Sequence, residues 1–203
     1  MQNKNHWYDG WFYDNLIAPN QDRMFGEIKN LIEPNSSVVD VGCGTGRFSF
    51  SIADRTNMVV GVDLSSKNIT TANQTLQRYP NNKISFLHTN LANLVLQNHH
   101  FDYAVMTYVI HEVNSEDRIP LMNEMAKIAD KIIIGDYLVP TTKGFWSILN
   151  NIVEFLAGKE HFSNFKNFVT NKGLHGLAEK TELKIIQEIK NKPKTSQILV
   201  LTK

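Results

Sequence analysis

Short apolar runs alternate along this chain with stretches in which apolar residues return every three or four positions. Val38–Val41, Met58–Asp63, Ile84–His88, Phe101–Thr107 and Lys131–Asp136 read as strands, Met58–Asp63 as a buried one. The segments between them have helical spacing. Gln21–Leu31 places Phe25, Ile28, Leu31 and Ile32 on one face and stops before Pro34. Arg47–Ala53 opens directly from a glycine turn, Lys67–Tyr79 is ended by Pro80, and Arg118–Ala129 runs up to the next strand. Near the end, Leu183–Ile189 and Gln197–Leu201 alternate as two closing strands around the turn Lys192-Pro193-Lys194-Thr195. Strand–helix alternation of this kind predicts an α/β fold built on a mostly parallel sheet.

Composition narrows the picture. A length of 203 residues suits one domain of ordinary size, with no repeat, linker or low-complexity tract. The net charge of +1 leaves no footprint for nucleic acid. The single cysteine, Cys43, rules out an intramolecular disulfide and points to a reducing, cytoplasmic setting. The opening residues lack a secretory apolar core, and no run approaches the ~20 apolar residues of a membrane span. No His/Cys cluster has the spacing of a metal site.

The chemistry concentrates at Val38-Val39-Asp40-Val41-Gly42-Cys43-Gly44-Thr45-Gly46-Arg47. Glycines after a strand let backbone amides approach a ligand, and the helix that follows offers free N–H groups. Asp40 inside an apolar strand is costly unless something hydrogen-bonds it. The dinucleotide fingerprint wants a small residue where Arg47 stands, and no phosphate loop ending in Gly-Lys-Ser/Thr occurs. Seventeen residues after Gly46 comes Asp63, near the ~20 expected for an acid that takes ribose hydroxyls. The alternative, that it caps the helix after Ser65-Ser66, is the less favoured reading.

The spaced glycines, with an acid two residues ahead, resemble motif I of the class I S-adenosylmethionine-dependent methyltransferases. The F-D-x-A-V start of Phe101–Thr107 and the Ile110-His111-Glu112 ending resemble the small-molecule, quinone and lipid-headgroup branch. The resemblance covers roughly Ser36 to Asp136. It implies a Rossmann-like three-layer α/β/α sandwich with a seven-stranded sheet whose last strand is antiparallel. It implies S-adenosylmethionine as cofactor and S-adenosylhomocysteine as product. By the same resemblance Asp40 contacts the methionine end, Gly42, Gly44 and Gly46 line the cofactor, and Asp63 takes the ribose. Asn90, where many relatives carry Asp, meets the adenine amino group, and Leu91 lies on the ring. Cys43, Leu64 and Thr107 complete the set, Cys43 packing in the turn and not acting as a nucleophile. Pro-Gly-Gly, usual before strand five, is replaced by Ala129-Asp130, which tightens that connection.

On this reading 34–136 is the cofactor half of a single domain, 1–33 an arm and helix, 137–180 a substrate-side insert and 181–203 the closing strands. The aromatic arm around Tyr13 fits a lid or a clasp on the sheet edge equally well. The apolar face of Phe145–Leu156 suits a pocket wall, a homodimer contact or a membrane surface, the last disfavoured for want of a basic face. Glu160–Phe165 forms a polar–aromatic patch of the acceptor-side type. His111, at the carboxyl edge of strand four, is the first candidate base, with His161 second and Tyr108 and Tyr13 as orienting groups. No Asn/Asp-Pro-Pro-Tyr follows strand four, which favours a small-molecule O, N or C acceptor. A nicotinamide oxidoreductase, a polyamine synthase and a non-catalytic, partner-binding relative are the alternatives.

Overall fold

The computed structural model describes residues 18–139, 159–191 and 195–203. The arm with Tyr13, the apolar segment 145–156 and turn residues 192–194 lie outside them. Seven strands form one sheet: β1 (Ser36–Val41), β2 (Thr56–Asp63), β3 (Ile84–His88), β4 (Phe101–Thr107), β5 (Ala129–Tyr137), β6 (Lys184–Asn191) and β7 (Ser196–Thr202). Their spatial order is β3-β2-β1-β4-β5-β7-β6. The pairings among β1 to β5 are parallel, and β7 runs antiparallel to both of its neighbours. The order reverses between β1 and β4, so a crevice opens beyond their carboxyl ends, where open α/β sheets bind ligands.

Helices cover both faces, because side chains along each strand point alternately up and down. Val38 belongs to a core with Met24, Ile28, Phe48, Ile52 and Ile69, contributed by α1 (Ala18–Leu31), α2 (Arg47–Ile52) and α3 (Ser66–Arg78). Val39 and Val41 belong to the opposite core, shared with α4 (Leu91–Leu96), α5 (Arg118–Ile128) and α7 (Gly173–Ala178). Each fully buried aliphatic side chain in these layers contributes roughly 1.5–3 kcal/mol. The sandwich is therefore three-layered. A further helix, α6 (Lys159–Thr170), sends Phe165 and Phe168 into the interior. Gly135 of β5 lets α1 seat closely, since a Cβ there would collide with Met24.

Some boundaries differ from the sequence reading. The fifth strand begins at Ala129, not Lys131, and α5 ends at Ile128, so helix passes into strand with no loop between. Two six-residue helices, α4 and α7, carried no periodicity long enough to be read. Asn90 caps α4, its side-chain oxygen accepting the Asn93 N–H at 3.0 Å.

Candidate active site

A cavity of about 690 Å³ lies in the crevice between the ends of β1 and β4. That volume is ordinary for a small-molecule site. Of the residues singled out in the sequence, Gly42, Cys43, Gly44, Asp63, Leu64, Asn90, Leu91, Thr107 and Tyr108 line it. Asp40, Gly46, His111 and His161 do not.

The turn after β1 builds one wall. Gly42, Gly44 and Gly46 all have positive φ, at 72°, 55° and 86°. Gly44 faces open space: a Cβ built on it has nothing within 4 Å. Gly46 turns the other way. It does not line the cavity but backs onto Phe86, whose Cζ would lie 2.5 Å from a Cβ. Asp63 holds the turn in shape, its Oδ2 accepting from Gly44 N–H at 2.9 Å and its Oδ1 from Ser65 N–H at 2.7 Å. The helix after it is capped by Ser65, whose hydroxyl accepts from Asn68 N–H, so Asp63 is not the capping residue. Each carboxylate oxygen of Asp63 keeps a further lone pair for a hydroxyl donor.

Asp40 lies one layer beneath, 1% exposed. Ser49 donates its hydroxyl to Oδ2, and Oδ1 is buried with no hydrogen-bond partner. Burial pushes the Asp40 carboxyl up to about 7; the Ser49 bond opposes this and the nearby Asp63 charge adds to it. An orphaned buried carboxylate oxygen calls for a cation or an ordered water. Burial also pushes the Cys43 thiol well above its ordinary range, so it stays protonated and inert.

Arg47 reaches α1, donating to Gln21 Oε1 at 2.9 Å and to Asp22 Oδ1 at 2.7 Å. Gln21 and Phe25 of α1 thereby reach the cavity wall.

The far side is built by the segment after β4. Tyr108 adopts φ 55°, uncommon for a non-glycine residue, and its N–H donates to Gly135 O at 2.8 Å. Burial pushes its phenol up to about 12, eased by a hydrogen bond with Ser196. Such a phenol stays protonated at neutral pH and orients partners as a donor. Val109 packs against Gly42, where a Cβ would meet it at 2.6 Å.

His111 was the first candidate to meet an acceptor. Its ring is only 2% exposed, held by Asp136 and packed edge-on against Tyr137, Phe165 and Phe168. Glu112, the next residue, does line the cavity, as does Glu124 of α5. His161 stands outside the lining, with Nδ1 3.9 Å from Glu112 Oε2. Glu112 was legible only as part of the Ile-His-Glu segment, and Glu124 carried no signal. Arg118 was also missed. Buried at the start of α5, it donates to the carbonyls of His111, Val113 and Asn164 and to Asn167 Oδ1, pinning this loop to α6.

Comparison with known proteins agrees with this geometry. A family model described as a methyltransferase domain matches residues 38–131, the cofactor side of the crevice. The chain is 29% identical over 170 residues to the 2-phytyl-1,4-naphtoquinone methyltransferase of Trichormus variabilis, covering 74% of each. It is 24% identical over 180 residues to the demethylmenaquinone methyltransferase of Bacillus cereus, covering 81% of this chain and 75% of that one. The chain carries a methyltransferase domain and is similar to the class I S-adenosylmethionine-dependent methyltransferases. In fold, this methyltransferase is similar to the magnesium protoporphyrin IX methyltransferase of Synechocystis, solved with bound S-adenosylhomocysteine. The TM-score is 0.69 at 21% identity, covering 97% of this chain and 90% of that one.

The residues present fit the family's cofactor. The orphaned Asp40 oxygen, the open face of Gly44 and the spare acceptor positions of Asp63 suit an ammonium, a backbone-contacting chain and a ribose respectively. Arg47, which lines the cavity and bonds α1, stands where a pyrophosphate cradle needs a small residue. Nothing in the comparisons supports a non-catalytic reading. No helix among the described residues is long and apolar enough to cross a membrane, and no His/Cys/Asp/Glu group among them could hold a metal.

Proposed function

We propose that this methyltransferase moves the methyl group to a small aromatic acceptor of quinol or phenol type. The observation that carries this is the far wall of the cavity. Beyond the glycine turn it consists of Tyr108, Val109, Val113 and Leu121, with two carboxylates, Glu112 and Glu124, among them. Apolar side chains with a few polar groups suit a flat ring bearing a hydroxyl. The named naphthoquinone relatives, aligned over most of this chain, support the same class.

S-adenosylmethionine supplies an already electrophilic sulfonium methyl, so the protein's work is placement. With the cofactor bound, Asp63 would take the ribose hydroxyls, Leu64 and Leu91 would enclose the adenine, and Asn90 would read its edge with the acceptor capacity that capping leaves. Asp40, beneath the turn, would balance the methionine ammonium directly or through an ordered water. Thr107 and Tyr108, in the cavity wall, would help to orient the acceptor. Lone Cys43, buried and unreactive, fits a cytoplasmic enzyme.

Transfer of radiolabelled methyl to a panel of 1,4-naphthohydroquinone, 3,4-dihydroxybenzoate and 4-hydroxybenzoate tests the proposal. Labelled product from at least one member supports it. Binding of S-adenosylhomocysteine with no product from any of them overturns the acceptor class.

A further inference from the structure

Ser49 is fully buried in α2, and its hydroxyl takes a partner outside its own helix. Elsewhere in α2 and in α3, the hydroxyls of Ser51, Thr70, Thr71 and Thr75 bond back to carbonyls three or four residues earlier. Ser49 instead donates across to Asp40 Oδ2 of β1, at 2.5 Å. That length belongs to a hydroxyl on an ionised carboxylate. Ser49 and Ser51 look alike in sequence; the fold gives only one of them this task.

Asp40 has little else to hold its charge. Its direct neighbours in the sheet are Gly61 of β2 and Val105 of β4, neither of which brings a side-chain donor. The helices on this face add apolar side chains, Met24 and Ile28 from α1 and Ile69 from α3. Two titratable groups stand nearby, Asp63 at the end of β2 and Cys43 in the glycine turn. The first repels a negative charge on Asp40, and the second is a protonated, neutral thiol. Burial raises the Asp40 carboxyl to about 7; the Ser49 hydroxyl, helped by the Ser49 backbone N–H, works against that rise. Oδ1 is buried without a hydrogen-bond partner, so the carboxylate is anchored at one oxygen and unused at the other.

We propose that Ser49 is a positioning residue of the cofactor site: its hydroxyl anchors one oxygen of Asp40 and keeps the carboxylate charged, so that the other serves the methionine ammonium, directly or through a water. This rests on the cofactor reading of Asp40 given above. Ser49 does not line the cavity, so it acts through Asp40 alone.

Calorimetric titration with S-adenosylhomocysteine at pH 6, 7.5 and 9 compares wild type with Ser49→Ala and with Ser49→Cys, which replaces the hydroxyl by a weaker donor. The ratio of wild-type to variant affinity is read at each pH, so that titration of the ligand's own amine cancels. 5′-Methylthioadenosine, which has the adenosine but no ammonium, is the control ligand. Without the hydroxyl the Asp40 midpoint should rise by about one to two pH units. The ratio for Ser49→Ala should then be about ten or more at pH 6 and fall to about two or less at pH 9. Ser49→Cys should lie between alanine and wild type, and 5′-methylthioadenosine should bind all three alike. A ratio that is the same at every pH overturns the inference, because a serine that only packs would weaken binding without moving a titration. An equal loss of 5′-methylthioadenosine affinity also overturns it. If Ser49→Ala does not fold, the same ratio measured on Ser49→Cys decides. If Asp40→Asn binds S-adenosylhomocysteine as tightly as wild type at pH 8, the Asp40 reading fails first and takes this inference with it.

Discussion

Alanine at Gly44 and at Gly46 separates the two tasks of the turn after β1. Both residues have positive φ, which costs an L side chain roughly 1–2 kcal/mol. There the likeness ends. At Gly46 the new methyl would lie 2.5 Å and 2.8 Å from two Phe86 ring atoms and 3.2 Å from Phe50. Phe86 cannot swing aside, since its ring packs on Phe50 with centroids 5.5 Å apart. Overpacking of this kind adds about 1–3 kcal/mol, for a total of about 2–5 kcal/mol. For a chain of this size, with a shift of about 2–4 °C per kcal/mol, the melting temperature of Gly46→Ala should fall by about 10 °C. Gly44→Ala meets no atom, so it bears only the backbone strain and melts a few degrees lower. Its methyl, however, projects where the backbone must approach the cofactor, and a steric conflict of about 1–3 kcal/mol is a roughly tenfold to hundredfold loss of affinity. Thermal denaturation and calorimetry with S-adenosylhomocysteine measure both. Equal melting temperatures for the two variants, or unchanged affinity in Gly44→Ala, would refute the division of labour.

Three further outcomes follow from the same geometry. Asp40 has its carboxyl raised from 3.8 to about 7 by burial, so the ligand-free fold binds more protons than the unfolded chain between those values. Its share of stability is therefore complete below about 4 and lost as pH rises to about 7, and Asp40→Asn removes that slope in denaturant melts at successive pH values. A cationic ligand needs the ionised form, so affinity for S-adenosylmethionine rises about tenfold from pH 6 to pH 8 in wild type and stays flat in Asp40→Asn. Arg118→Met strips donors from three backbone carbonyls, while Asn167 Oδ1 keeps a donor in Asn171; with about 1–3 kcal/mol for each carbonyl left buried and unpaired, urea melts should show a loss of about 3–9 kcal/mol. Asp63→Ala removes both the proposed ribose acceptor and the bond that shapes the Gly44 amide, so it should weaken S-adenosylhomocysteine by about tenfold or more, read by calorimetry.

What was legible in the sequence was what local pattern dictates. Ile84–His88 and Phe101–Thr107 are bounded where the apolar runs begin and end, although Phe101–Thr107 is largely buried and Ile84–His88, at the sheet edge, buries only Ile84 and Phe86. The glycine turn was legible for a similar reason: positive φ at three close positions constrains residue choice directly. Direction of side chains was not. Gly46 and Gly44 look alike in sequence, and only the packing of Phe86 distinguishes the one that supports the turn from the one that faces the cavity. His111 and Glu112 are adjacent, and which of them reaches the cavity depends on the left-handed turn at Tyr108 and on the aromatic packing of Tyr137, Phe165 and Phe168 around the imidazole. Arg118 reads as an ordinary surface cation on a helix. Its burial follows from long-range contacts with Asn164 and Asn167, which no local window contains.

Calorimetric titration with S-adenosylhomocysteine, with NADH as the control ligand, tests the central claim most directly. The account predicts micromolar binding of S-adenosylhomocysteine, about −8 kcal/mol, and no heat from NADH. Binding of NADH with no response to S-adenosylhomocysteine would contradict it.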